Sequence, residues 1–160
     1  MQRNCVFLIR AATDDDVAGI LRCLRVAFAP FRTRYTLGAF RDTVLSETRL
    51  HERMKRMKIF VAVDEGANVA GTIGCSISGS KAHLRGMAVR PELQGCGVAA
   101  KLLAAAENEA REAKCSRMTL NTTEPLTRAI QFYRRHGYRA SGRMRNWFGM
   151  PLYQYVKRLE

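Results

Sequence analysis

A chain of 160 residues with 47% hydrophobic and 26% charged side chains holds one hydrophobic core and excludes two ordinary domains, so residues 1–160 are read as a single domain. Its longest apolar run near the N-terminus, Cys5 to Ile9, is too short for a secretory or membrane-spanning segment, and the expected location is cytoplasmic. A formal charge of +13 favours anionic partners, whether nucleic acid, acidic lipid or a phosphorylated cofactor, without choosing among them.

From Val6 a short strand leads to Thr13, a helix cap whose first turn sets Asp14, Asp15 and Asp16 against the positive end of the helix dipole. Val17, Ile20, Leu21, Leu24 and Phe28 then recur at helical spacing. Pro30 interrupts that helix, and Phe40, Val44 and Leu45 predict a second one running on to Met57. Ile59–Val63 and Val69–Ser78, joined by a turn with Gly66 and Asn68, read as an antiparallel hairpin, and His83 to Val89 as a third strand ending at Arg90-Pro91. Beyond a glycine loop, Val98, Leu102, Ala106, Ala110 and Ala113 form one face of a long helix, followed by a strand over Ser116 to Thr122. The next helix has Pro125 in its first turn, Leu126, Ala129, Ile130 and Tyr133 on one face, and Gly137 as its stop. The last two strands lie around Tyr138 and over Leu152–Lys157. This order is mixed α/β with much antiparallel pairing. Cys5, Cys23, Cys75, Cys96 and Cys115 stand singly, without metal-site or redox spacing, and are read as reduced thiols.

The loop Gln94-Gly95-Cys96-Gly97-Val98-Ala99 opens a helix directly after a strand and a short turn. Such an arrangement aims unpaired backbone N–H groups at one spot, where the helix dipole adds positive potential, and small side chains leave room for a phosphate or pyrophosphate. The alternative is a tight turn whose small residues pack on the sheet. A Walker loop is excluded, because Ala99-Ala100-Lys101 stands where Gly-Lys-Ser/Thr is needed. The dinucleotide fingerprint fits poorly: Arg90–Gln94 separate the strand from the first glycine, and the acidic residue expected about twenty positions on is Arg117.

The segment Met87 to Leu103, MAVRPELQGCGVAAKLL, closely resembles the acetyl-CoA-binding signature of the GNAT superfamily of N-acetyltransferases, with Gln94, Gly97 and Ala99 in register. LTRAIQFYRRHGYRASGR, from Leu126, is similar to the family's second block through Ala129, Tyr133 and Gly137-Tyr138. FLIRAATDDDVAGI and VAGTIGCSIS resemble its opening strand and helix and its central hairpin. The resemblance implies a central mixed, mostly antiparallel sheet of about six to seven strands flanked by about four helices. It implies an acyltransferase that moves the acetyl group of acetyl-CoA to a primary amine by direct attack. The acceptor is a small molecule or a peptide, no metal or membrane is involved, and a homodimer is left open.

By the same resemblance, the pantetheine of CoA lies along Met87, Ala88 and Val89 as an added strand, and the Val89 N–H polarises the thioester carbonyl. The pyrophosphate sits on the amides of Gln94, Gly95, Cys96, Gly97, Val98, Ala99 and Ala100. Tyr133 matches the tyrosine that assists departure of the thiolate; with reference pKa values of about 10 for the phenol and about 8.5 for the thiol, a hydrogen bond suffices. Tyr133 is also the last position of its helix's apolar stripe. Leu126 stands where many members carry an asparagine that contacts the cofactor, so that contact is either absent or supplied by Asn121, Thr122 or Thr123. For the base, the spacing offers His83 at the start of the strand that leads to the loop. Glu124 and a water chain are the alternatives, and His51 and His136 have no motif support. An acyl intermediate on Cys96 lacks an identifiable base partner. Phe28, Phe31, Arg34 and Tyr35 line an acceptor pocket or pack in the core. A rival class is a non-catalytic CoA-binding module or a basic nucleic-acid-binding module, although no nucleic-acid motif is present and the aromatics are not interleaved with the basic residues.

Overall fold

The computed structural model describes residues 5–160. A seven-stranded sheet runs in the order β1-β2-β3-β4-β5-β7-β6, comprising β1 (Leu8–Ala11), β2 (Lys58–Val63), β3 (Val69–Ser78), β4 (Lys81–Val89), β5 (Arg117–Thr122), β6 (Arg139–Trp147) and β7 (Met150–Arg158). Five α-helices accompany it: α1 (Val17–Phe28), α2 (Leu37–Thr43), α3 (Glu47–Arg56), α4 (Val98–Glu112) and α5 (Thr127–Arg135). The strand and helix order follows the sequence expectation, with one helix more than anticipated.

Strand β2 shows why helices lie on both faces of the sheet. Ile59, Val61 and Val63 pack with Ile20, Leu24 and Leu50 of α1 and α3, while the alternate residues Phe60 and Ala62 pack with Leu102, Leu103 and Ala106 of α4. Alternation sends successive side chains to opposite faces, so a strand apolar at every position needs cover on both.

Local chemistry sets the helix boundaries. Asp14–Asp16 form a 3-10 turn ahead of α1, in which the Asp16 carboxylate accepts the Thr13 N–H at 2.8 Å and a two-pronged pair from Arg10 at 2.6 and 2.9 Å. The single helix expected from Phe40 to Met57 is instead two, because Val44 is extended and Ser46 opens a new helix, its Oγ accepting the Arg49 N–H at 3.3 Å. Pro125 lies before α5 rather than in its first turn, since α5 begins at Thr127 after a turn closed by Leu126 N–H to Thr123 O. Gly137 ends α5 with φ +92°, and the Tyr138 N–H returns to Tyr133 O at 3.0 Å. Buried Glu107 on α4 accepts from Tyr138 Oη at 3.1 Å and Lys157 Nζ at 2.8 Å, tying α4 to the end of α5 and to β7. Among the described residues no helix is long and apolar enough to cross a membrane.

The feature that makes a site is the pairing of β4. It is antiparallel to β3 throughout but parallel to β5 only from Lys81↔Arg117 to Leu84↔Leu120. Between the pairs Gly74↔Arg85 and Thr72↔Ala88, Gly86 and Met87 oppose the single residue Ile73, and Gly86 adopts φ +70°. This bulge bends β4 away from β5, as an extra residue in one strand does. The sheet opens into a wedge-shaped cleft of about 820 Å3.

Candidate active site

At one end of the cleft lies the glycine loop. Gly95 and Gly97 have φ +85° and +80°, the left-handed region in which a side chain is strained, and a Cβ at either would meet nothing within 4 Å. The first intrahelical bond of α4 is Lys101 N–H to Gly97 O at 3.2 Å, so the Val98, Ala99 and Ala100 amides have no backbone partner. Within the loop, Gln94 N–H bonds to Pro91 O and Cys96 N–H to Leu93 O, both at 3.3 Å. The amides of Gly95, Gly97, Val98, Ala99 and Ala100 therefore remain for a ligand, two fewer than the sequence predicts. Across the mouth, Arg128 Nη1 of α5 donates to Gln94 Oε1 at 3.0 Å, which adds a guanidinium beside the loop. Open space, unpartnered amides and a nearby cation fit a pyrophosphate.

The edge of β4 forms the next part of the wall. Arg90 N–H donates to Ala70 O on β3 at 2.9 Å, so strand alternation turns the Val89 N–H and C=O toward the open side, where β5 has departed. Met87 and Val89 line the cleft on this edge. Ala88 lines the cleft as well, although its side chain packs in the core beneath α1 and its carbonyl faces β3.

Tyr133 projects from α5 onto the cleft wall, buried, with edge-on contacts to Phe132 and Tyr138. Its hydroxyl has no hydrogen-bond partner among the described residues, and burial raises its pKa above the ordinary phenol value, which keeps the proton on. His83, half-buried on β4, lines the cleft with Nδ1 2.7 Å from Thr119 Oγ1 of β5. Burial and the nearby Arg85 and Arg145 hold its pKa below the usual histidine value, so the ring is neutral at pH 7. Glu124 lies elsewhere: it is exposed, off the cleft wall, and accepts the Tyr153 hydroxyl at 3.1 Å.

Asn121 lines the cleft from β5, and Leu126 lines it from the turn before α5. Thr123 Oγ1 is committed to Pro151 O at 2.9 Å, whereas Thr122 Oγ1 on the same wall is buried without a partner. Of the loop residues, Cys96 faces away from the cleft; its Sγ lies 3.0 Å from Cys5 Sγ, a proximity the scattered cysteine spacing does not reveal.

Phe28, Phe31, Arg34 and Tyr35 converge at the end of the cleft opposite the loop. Phe28 and Tyr35 are largely buried and pack on each other, and both also line the cavity. Sequence reasoning misses the rest of this end: Asp42 from α2, Arg53 from α3, Arg85 from β4, and Arg145 and Trp147 from β6. Only an isolated glycine inside a strand pattern, Gly86, signals a bulge here.

Fold and cleft together present a groove in which a long phosphorylated ligand would have room along one strand edge. Residues 28–138 match the sequence model of the Acetyltransferase (GNAT) family, and the chain belongs to that family. It is 35% identical over 79 residues to the uncharacterized protein YdhI of Bacillus subtilis (strain 168), a match covering 49% of this chain and 48% of that protein. The chain thus spans about half the length of that curated relative. Among solved structures it resembles the PaiA N-acetyltransferase of Thermoplasma acidophilum in complex with coenzyme A, with a TM-score of 0.80, 16% identity and coverage of 96% of this chain and 99% of that one. It also resembles the ribosomal-protein-S18-alanine N-acetyltransferase of Escherichia coli, with a TM-score of 0.78, 17% identity, and 97% and 95% coverage. At these identities the likeness concerns the fold.

Proposed function

We propose that the protein transfers the acetyl group of acetyl-CoA to the primary amine of an acceptor by direct attack within the cleft between β4 and β5. The observation that carries this reading is the splay of the two strands, which leaves the Val89 amide unopposed on a wall shared with His83 and Tyr133. Bound acetyl-CoA supplies a thioester open to attack by an amine. Gly95, Gly97, Val98, Ala99 and Ala100 bind the pyrophosphate through their amides, with Arg128 alongside, and the Met87–Val89 edge orients the pantetheine as an added strand. Asn121 and the unpartnered Thr122 hydroxyl take the place of the family's asparagine on the β5 wall. The Val89 N–H donates to the carbonyl oxygen as negative charge develops there.

His83 removes a proton from the acceptor amine. In the tautomer whose Nδ1–H is donated to Thr119 Oγ1, which this role requires, the Nε2 lone pair is the free acceptor, and the lowered pKa keeps the ring neutral at physiological pH. The exposure of Glu124 and its bond to Tyr153 favour His83 over it. Tyr133, still protonated, donates to the departing sulfur. The test is release of free thiol from acetyl-CoA across a panel of primary amines. Turnover with an amine supports the reading, whereas CoA binding with no thiol release beyond the buffer rate supports a non-catalytic CoA-binding module instead.

For the base, protonation of His83 abolishes activity, and its lowered pKa sets the direction: the acidic limb of kcat/KM lies below pH 6.5. His83→Ala removes that limb and lowers kcat/KM roughly 100-fold, with the CoA-induced rise in Tm retained. Glu124→Gln leaves the profile in place. An unchanged limb in His83→Ala excludes His83 and returns the role to water or Glu124.

A further inference from the structure

The end of the cleft remote from the glycine loop holds more positive charge than the fold neutralises. Arg34, Arg53, Arg85 and Arg145 line it, and Asp42 is its one acidic residue. Asp42 is already engaged: its Oδ2 accepts from Arg85 Nη2 at 2.5 Å and from Trp147 Nε1 at 2.8 Å. Arg53 is half-buried, yet among the described residues its guanidinium meets no carboxylate. Its Nη2 donates to the Asp42 main-chain oxygen at 3.3 Å, and its Nη1 lies 3.2 Å from the position a Cβ would take on Gly86, at the bulge itself. Burial first, then the neighbouring Arg85, push its pKa down to about 10, with Asp42 pulling the other way and Arg49 adding to the fall.

This cluster is distinct from the phosphate loop. Along β4, Arg85 and Gly86 stand four and three residues before Val89, on the order of 10–13 Å further from the loop at the rise of an extended strand. Arg85 and Arg145 are close enough to act on His83, so the surplus charge borders the place where the acceptor amine loses its proton. A polyamine or other multiply cationic acceptor would be repelled there. Guanidinium forks match carboxylates two-pronged, and the aromatic groups of Phe31, Tyr35 and Trp147 offer apolar cover beside them.

We infer that the acceptor is an anionic amine, a small molecule carrying a carboxylate next to its primary amine, with Arg53 as the residue that receives the carboxylate. This rests on the acetyl-transfer reading for the amine's fate but not for its binding, and the experiment separates the two. Calorimetric titration of the CoA-saturated protein with α-amino acids and with their carboxamides measures recognition of the carboxylate without any turnover. At least one amino acid binds, roughly tenfold or more tighter than its amide, as expected for a charge-assisted hydrogen bond. Arg53→Gln collapses that ratio toward one, while the CoA-induced rise in Tm persists and shows that the variant is folded. Thiol release with the same pairs is then followed separately: binding with the expected ratio but without turnover removes the transfer reading and leaves the carboxylate site standing. The inference is overturned if the amides or spermidine bind as tightly as the acids, if no amino acid binds, or if Arg53→Gln preserves the ratio.

Discussion

Replacing Gly97 by glutamate abolishes the rise in melting temperature that CoA produces. At a ligand concentration about one hundred times Kd the wild-type stabilisation is about 2.7 kcal/mol, or roughly 5–10 °C for a domain of this size. Gly97 is the cap of α4, and the amides of the three residues that follow have no other partner. A glutamate there places a carboxylate over those amides, where it takes their hydrogen bonds and repels the phosphates. The variant still folds, because a Cβ at this position meets nothing within 4 Å; the strain of a side chain at φ +80° costs about 1–2 kcal/mol. Gly97→Ala carries the same strain without the charge, and retains most of the CoA-induced shift. Differential scanning fluorimetry on the three proteins checks this, and a full shift in Gly97→Glu places the pyrophosphate elsewhere.

The loop was legible in the sequence because its chemistry is local: two glycines, small neighbours and a helix start occupy consecutive positions, and the structure finds them with left-handed glycines and unpartnered amides. Order and type of the strands were legible for a similar reason, since alternation and turn residues lie within each segment. What was not legible depends on distance along the chain. Arg53, Arg85 and Arg145 belong to a helix and two strands, and only the sheet order together with the bulge at Gly86 brings them to one end of the cleft. The contact of Cys5 with Cys96 spans 91 positions. Glu124 misleads in the opposite sense. It is near Tyr133 in sequence, but it follows β5 beside Tyr153, the partner of Thr122 on β7, and that neighbour holds it outside the cleft. The split between α2 and α3 was readable in principle, from Ser46-Glu47 as a cap and acidic first turn inside an apparently continuous helix.

Tyr133→Phe lowers kcat by about 100-fold or more, the range for a positioned proton donor, while Kd for CoA changes less than about twofold. Two structural facts separate this outcome from a purely packing role. The phenol ring is buried against Phe132 and Tyr138, contacts that phenylalanine preserves, so the variant keeps its fold and its thermal stability. The hydroxyl, in contrast, has no protein partner among the described residues, so its removal breaks nothing in the resting enzyme and acts only where a bound ligand uses it. Since burial holds the phenol pKa above the ordinary value, the proton stays on Tyr133 throughout the working range, and the wild-type rate shows no loss up to about pH 10 attributable to this group. Single-turnover measurements, in which chemistry rather than product release sets the rate, give the decisive comparison. An unchanged single-turnover rate in Tyr133→Phe assigns the ring to the core and leaves the thiolate to be stabilised by solvent; a large loss with intact CoA binding makes the hydroxyl a group whose work is done mainly as the carbon–sulfur bond breaks.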